Sequence, residues 1–208
     1  MILEQVPIGP MANFGYVIGD SKSKEGAVVD PGWEAQRLLD AAKKHGLKIT
    51  KIILTHTHFD HVKALGEMVE KTGAQIVLHE DELFDASTYS DDLTLVNGGE
   101  SLSLGNLHIE IIHTPGHTPG GICLLMGKKM ITGDTLFVGG CGRVDLPGSD
   151  PEEMFHSLQK LKSMDDSIEI YPGHDYGSTP HSSLGHEKKH NPFLLPKTLD
   201  EFFGRRLT

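Results

Sequence analysis

Cysteine is nearly absent from this 208-residue chain, with Cys123 and Cys141 the only two. A disulfide framework is thereby excluded, and a reducing, cytoplasmic setting is expected. Positive charge is also scarce: 19 lysines and arginines face 29 aspartates and glutamates, a net charge of −10 with histidine neutral. Such a surface repels a phosphate backbone, which argues against a nucleic-acid partner. No apolar run approaches the roughly 20 residues of a membrane span. The opening MILEQVPIGP lacks a basic segment followed by an apolar stretch, so neither membrane insertion nor a secretory signal is expected. What remains is ordinary for a folded domain, 38% hydrophobic and 23% charged, with 24 glycines that imply many tight turns and 13 histidines that ask for an explanation.

Short apolar runs rich in branched residues read as strands: NFGYVIGD, GAVVD, KIILTH, AQIVLHE, LHIEIIHT, GICLLMG, KMITGD and SIEIYPG. Helical spacing is expected over Glu34–His45, over about Asp60 to Lys71 with a stop at Gly73, and from Pro151 to about Leu161 behind an Asp150 or Ser149 cap. A short polar helix is expected over His181–His190, with Pro192 and Pro196 breaking the tail. Strands and helices alternate, and both halves share one grammar without detectable repetition. The expectation is a single α/β domain over residues 1–208, of which 179–208 form a short C-terminal helix and tail.

Within that frame LTHTHFDHV crowds His56, His58, Asp60 and His61 onto the loop between a strand and a helix. His56 and His58 are two apart and point to one side of an extended chain. Imidazole and carboxylate together suit a borderline cation such as zinc or iron. Three further ligand-type residues sit on glycine-bearing turns after strands: His117 in HTPGHTPGG, Asp134 in KMITGD and His174 in YPGHDYG. Sorted by chemistry, they make two sites. One takes His56, His58 and His117, the other Asp60, His61 and His174, and Asp134 is the natural bridge. Two cations sharing a carboxylate lower the pKa of a water between them and yield hydroxide at neutral pH.

THTHFDH, TPGHTPGG, TGDTLF and YPGHDYG occur in an order that resembles the metallo-β-lactamase superfamily, and the resemblance spans essentially the whole chain. It implies an αββα sandwich with the metal site at the strand ends. Asp134 at the bridging position argues against a true β-lactamase, and His58 argues against the flavodiiron branch, which has glutamate there. FVGGCGRVDLPG and SSLGHEKKHNPFL resemble the short relatives of glyoxalase II, the hydroxyacylglutathione hydrolases. That branch implies a small-molecule thioester substrate and two divalent metal ions, zinc first, with iron or manganese as alternatives. Asp60 and Asp134 would be catalytic as well as ligating. Arg143, after GCG, and Tyr176, two after the last histidine, would bind the thiol carrier. Asp145 stands where that branch has a tyrosine, and the helical glutathione-binding domain after NPF is replaced by a short tail. A second branch, the mononuclear iron persulfide dioxygenases, also carries GCGR and implies an iron on His56, His117 and Asp134.

Asp30, ending GAVVDPG, is expected either to hydrogen-bond a ligand histidine from behind or to serve as a turn residue before Pro31. His45 reads as a helix C-terminal group. His79, His108 and His113 read as packing or edge residues, and His181, His186 and His190 as part of a solvated tail. Cys141 beside Arg143 reads as a small turn residue rather than a thiolate, and Trp33 as a packing anchor at the site's edge.

Overall fold

The computed structural model describes residues 1–82 and 85–205. The first sheet holds β1 (Ile2–Ile8), β2 (Asn13–Gly19), β3 (Glu25–Val29), β4 (Lys48–Ile53), β5 (Gln75–His79) and β6 (Leu93–Val96), hydrogen-bonded in that order. Pairing is antiparallel from β1 to β3 and parallel from β3 to β6. Then come β7 (Ser101–Leu104), β8 (Leu107–His113), β9 (Ile122–Met126), β10 (Lys129–Gly133), the small ribbon β11 (Leu136–Phe137) and β12 (Gly140–Cys141), β13 (Glu169–Pro172) and β14 (Ser182–Ser183). The second sheet runs β14-β13-β10-β9-β8-β7, with β10 and β13 parallel.

Residue alternation explains why the strands read as unbroken apolar runs. In β2, Phe14, Tyr16 and Ile18 enter the core between the sheets, while Val17 faces outward to helices. Ala27 and Val29 of β3 face inward and Val28 outward, and Ile53 and Ile52 of β4 divide the same way. On the second sheet Ile109, Ile111, Ile122, Leu124, Ile131 and Tyr171 face the first sheet, whereas Ile112, Cys123, Met130 and Ile170 face helices. Burial on both faces removes the polar half of the usual alternation.

Helices α1 (Ala35–Lys44) and α3 (Leu65–Thr72) cover the first sheet through Leu38, Ala42, Leu65 and Met68. Helices α4 (Pro151–Lys162) and α6 (Leu199–Phe203) cover the second through Met154, Phe155, Leu158, Leu161 and Phe202. The layers are α, β, β, α, as the resemblance implied. Asp150 caps α4 by accepting from the Glu152 and Glu153 N–H groups, with Pro151 in the first turn. Among the described residues no helix is long and apolar enough to cross a membrane.

Several elements differ from the sequence-based expectation. The helix expected over Asp60–Lys71 is two helices, α2 (Phe59–Val62) and α3. The cause is Gly32, which lies so close to α2 that an added Cβ would sit 1.8 Å from the Asp60 carbonyl oxygen. The Ala64 N–H donates to Pro31 O at 2.9 Å instead of to Asp60 four residues back, and Asp60 O accepts from Asn13 Nδ2 at 3.3 Å. The Pro31–Gly32 crossing thus interrupts the helical ladder one turn after the ligand residues. The helix expected from His181 begins at Leu184 as α5 (Leu184–His190), because Ser182 and Ser183 pair with Ile170 and Glu169 as β14. The C-terminal stretch holds α6 as well as the single helix expected, and Leu184, Leu194 and Phe202 are fully buried against the second sheet. Residues 206–208 of the expected tail lie outside the described residues.

The sheets are also joined at the end opposite α2. Asp20, after β2, accepts from Asn106 N at 3.0 Å and Asn106 Nδ2 at 2.8 Å in the β7–β8 turn, and from Lys22 N at 3.1 Å. These donors, the Asn106 N–H first, hold the Asp20 carboxyl far below its ordinary value of 3.8. A depressed folded-state pKa stabilises the fold above the unfolded value, and the contribution fades as pH falls through the folded one. Asp20→Asn is therefore expected to lower the urea midpoint at pH 7, with the gap to wild type narrowing progressively below about pH 4. A gap independent of pH would contradict the charged role.

Candidate metal centre

Strand ends deliver every candidate ligand to one edge of the sandwich. The chain leaves β4 into Thr55, His56 and His58, then turns into α2, which carries Asp60 and His61. His117 lies on the β8–β9 loop, Asp134 directly follows β10, and His174 closely follows β13. His56, Asp60, His61, His117, Asp134 and His174 are all buried, and His58 is half-buried.

The donor atoms gather in two trios. Those of His56, His58 and His117 all lie within 4.8 Å of one another, as do those of Asp60, His61 and His174. Asp134 sits between the trios. Its Oδ2 lies 4.0 Å from His56 Nε2 and 3.5 Å from His117 Nε2 on one side, and 3.3 Å from His174 Nε2 on the other. Its Oδ1 lies 3.5 Å from His61 Nε2. Gly173 makes this approach sterically feasible, since a Cβ there would stand 2.2 Å from Asp134 Oδ1.

Hydrogen bonds on the far side of four of the five rings fix which nitrogen faces the pocket. His117 Nδ1 donates to Arg143 O at 2.7 Å and His174 Nδ1 to Met11 O at 2.9 Å. His61 Nδ1 bonds Asp30 Oδ2 at 3.2 Å, and His56 Nδ1 bonds Thr55 Oγ1 at 3.2 Å. Each arrangement turns Nε2 toward the pocket. Asp30 anchors this network, accepting also from Thr55 N at 2.7 Å and Thr55 Oγ1 at 2.6 Å. Its φ of 50° lies in the left-handed region, a strained geometry that aspartate tolerates better than most residues. With its oxygens so engaged, Asp30 acts on the His61 ring from behind and has no free oxygen for a cation.

Asn13 is a member of the site that the sequence did not reveal. Its Nδ2 donates to Asp60 Oδ2 at 2.8 Å and fixes that carboxylate 3.4 Å from His174 Nε2. A lone asparagine in PMANFGY carries no spacing signal. Only the pairing of Asn13 with His174 across the two sheets brings it there.

In the cation-free protein these charges set one another's protonation. Burial works against a charged His61, but Asp134, Asp30 and Asp60 outweigh it and hold the imidazole up at about 9. Burial, reinforced by His61, pushes His56 well below the usual range, and burial with His117 pushes His58 down to about 4. Asp134 is held well below the carboxylate range, because His61 and His56 overcome the burial that opposes its charge. A proton on His61 would have to leave before Nε2 could coordinate, so uptake of a cation there would release a proton and would weaken as pH falls.

The donor set fits such cations. His58 Nδ1 and His117 Nε2 stand 2.8 Å apart, and His61 Nε2 and His174 Nε2 stand 3.1 Å apart. A tetrahedral zinc with bonds of about 2.0–2.1 Å would place two nitrogen ligands about 3.3 Å apart. His56 Nε2 and Asp134 Oδ1 are buried with no hydrogen-bond partner. Orphaned polar atoms of this kind are costly unless a ligand satisfies them.

Another cluster, His79, Asp81 and His113, also brings ligand atoms within 4.8 Å. Its two rings are stacked 3.9 Å apart at 18°, so their in-plane lone pairs run side by side and share no meeting point for one cation. His45 ends α1 and pairs with Glu4, and His186 stacks on His190 along α5. Burial pushes the Cys141 thiol up to about 12, which leaves no thiolate beside Arg143.

A cavity of about 740 Å³ opens over the trios, walled by Met11, Phe59, Phe137, Leu146, Arg143 and Tyr176. Tyr176 stacks on His174 at 4.6 Å and 12°. Trp33 braces Phe59 edge to face at 6.4 Å. Arg143 is engaged by Asp145 through Nε–Oδ1 and Nη2–Oδ2 contacts of 2.5 and 2.6 Å.

The sequence model of the metallo-beta-lactamase superfamily matches residues 8–174. The chain is similar to the probable polyketide biosynthesis zinc-dependent hydrolase PksB of Bacillus subtilis, 34% identical over 183 residues that cover 88% of this chain and 81% of that protein. It is similar to hydroxyacylglutathione hydrolase GloC of Haemophilus influenzae, also 34% identical, over 95% of this chain and 100% of that one. Among solved structures, ETHE1 from Myxococcus xanthus matches with a TM-score of 0.88 at 32% identity, covering 98% of this chain and 89% of its own.

Removing the central carboxylate tests the arrangement. Asp134→Ala is expected to cut bound divalent metal below the wild-type stoichiometry, measured by elemental analysis after equilibrium dialysis. Wild-type metal content in the variant would rule out a shared ligand at this position.

Proposed function

The chain belongs to the metallo-beta-lactamase superfamily, whose members include metal-dependent hydrolases, and from that premise we propose that it hydrolyses thioesters of glutathione or a related small thiol. The observation that carries the reading is the position of Asp134, within 4.0 Å of imidazole nitrogens from both trios at the floor of a largely apolar cavity. The end-to-end similarity to a hydroxyacylglutathione hydrolase supports the substrate class. His56, His58 and His117 would hold one divalent cation, Asp60, His61 and His174 a second, with Asp134 touching both. When bound, the cations supply Lewis acidity and a water of lowered pKa.

The chain's own residues do the rest. Asp60, pinned by Asn13, presents a carboxylate that orients the attacking water by accepting its hydrogen bond. Met11, Phe59 and Phe137 shelter the acyl group from bulk solvent. Arg143 and Tyr176, on the cavity wall, hold the thiol carrier. The leaving sulfur departs as thiolate. A small thiol has a pKa of about 8.5, so little protonation is needed and the site requires no dedicated general acid. Asp145 tempers this binding, because its carboxylate occupies one edge of the Arg143 guanidinium and adds a negative charge where a carrier carboxylate would dock.

The likeness to ETHE1 favours a second reading, a mononuclear iron persulfide dioxygenase using His56, His117 and Asp134. Two assays on the purified chain separate the readings. Near two metals per chain with hydrolysis of S-lactoylglutathione, lost on chelation and restored by zinc, iron or manganese, is the expected result. One iron per chain with oxygen uptake on glutathione persulfide would replace it. Within the first reading, Asp145→Ala should lower KM for S-lactoylglutathione a few-fold at unchanged kcat. An unchanged KM would show that no carrier carboxylate docks at Arg143.

A further inference from the structure

Glu82 lies three residues beyond β5, outside every motif quoted above, and is almost fully buried at 7% exposure. One carboxylate oxygen, Oε2, accepts from Thr57 N at 2.9 Å and from the Thr57 hydroxyl. The other, Oε1, accepts from Thr118 Oγ1 at 2.5 Å and from Gly120 N at 3.1 Å. Thr57 is the residue between His56 and His58, and Thr118 directly follows His117. One buried side chain therefore ties together the two loops that carry the first trio. Gly120 accommodates it, since a Cβ there would meet Glu82 N at 2.7 Å and Glu82 Cγ at 2.8 Å. The second trio is anchored by other groups: Asp30 behind His61, Asn13 on Asp60 and Met11 O behind His174.

We infer that Glu82 is a positioning residue for one cation site only, setting the spacing of the His56–His58 loop against the His117 loop. The inference rests on the two-cation reading above. Only a carboxylate does this work. Each oxygen faces a backbone N–H, which cannot turn away, so both ends of the side chain must accept. A glutamine at 82 would set its amide NH2 against Thr57 N–H in one orientation and against Gly120 N–H in the other, and so could hold only one loop at a time. Aspartate is one methylene too short to reach both loops from the same backbone position.

The test is cation binding rather than turnover. Metal-free full-length protein is titrated with cobalt(II) and followed by calorimetry and by the visible ligand-field spectrum. Wild type is expected to take up two equivalents. Glu82→Gln is expected to keep one at wild-type affinity and to bind the other about 10–100-fold more weakly, the usual cost of losing a partner behind a metal ligand. Thr118→Val removes a single hydroxyl donor, preserves shape and should weaken the same equivalent by less, which covers the case in which the glutamine variant does not fold. Glu187→Gln serves as control. Glu187 is as deeply buried, 1% exposed, but it bonds Gly139 N and Asn191 Nδ2 instead of a ligand loop, so both equivalents should be unchanged. Two unchanged equivalents in both Glu82→Gln and Thr118→Val, or equal weakening of both equivalents, would overturn the role given to Glu82. Failure of the wild type to bind any cation would instead overturn the metal centre on which it rests.

Discussion

The site is built around the cost of burying a charge. An ionised carboxylate taken out of water costs several kcal/mol even after relaxation unless opposite charge meets it at close range. Asp134 is nearly inaccessible, is held in its charged form, and has one oxygen that no donor in the protein satisfies. Four imidazole nitrogens surround it at 3.3 to 4.0 Å. The pairings behind those rings share one purpose. Arg143 O, Met11 O, Asp30 and Thr55 each engage an Nδ1, which turns the other nitrogen toward the pocket. A protein that wanted only a packed strand end would not assemble so many half-satisfied polar atoms.

The sandwich makes this assembly affordable because the apolar work is done elsewhere. Central strands of both sheets are buried on two faces, so their middles carry aliphatic side chains and their ends are free to carry polar ones. The parallel pairs β3–β4 and β10–β13 bring Asp30 and Thr55, and Asp134 and His174, out at the same edge. Close backbone crossings complete the geometry. Gly32 beneath α2 ends that helix early, which frees the Asp60 carbonyl for Asn13 and fixes where the Asp60 and His61 side chains start.

Legibility in the sequence followed the range of the interactions. HTHFDH was readable because it crowds four ligand-type residues after one strand, and TPGH, TGD and YPGH because each places one at a strand end with a local glycine or proline to shape the turn. The central strands were readable because they are apolar on both faces. The edge strands were not: β6 and β7 are half-exposed and polar in alternation, and β1 carries Glu4, Gln5 and Pro7. The split between α2 and α3 was hidden because it is imposed by a glycine roughly thirty residues earlier. Asn13 and Glu82 were hidden for the same reason. Each is a single polar residue whose role exists only through partners 25 to 47 positions away.

Charge balance links the two readings of the site. Asp30, Asp60 and Asp134 bring three formal negative charges into one pocket, and two divalent cations bring four positive ones. A dinuclear centre is therefore slightly positive, which suits an anionic nucleophile and a departing thiolate. A single divalent cation leaves one formal negative charge, a deficit that a proton can meet. The protein already has a place for it. His61 and His174 are the two imidazoles whose surrounding carboxylates favour protonation, whereas His56 and His58, in the other trio, are disposed to stay neutral. The trios are thus unequal by construction. In the first trio, braced by Glu82, burial already keeps His56 and His58 free of protons, whereas the second would exchange the His61 proton for its cation. On the proposed reading, a second cation would have to displace protons from the second trio, so its uptake would depend on pH more than that of the first.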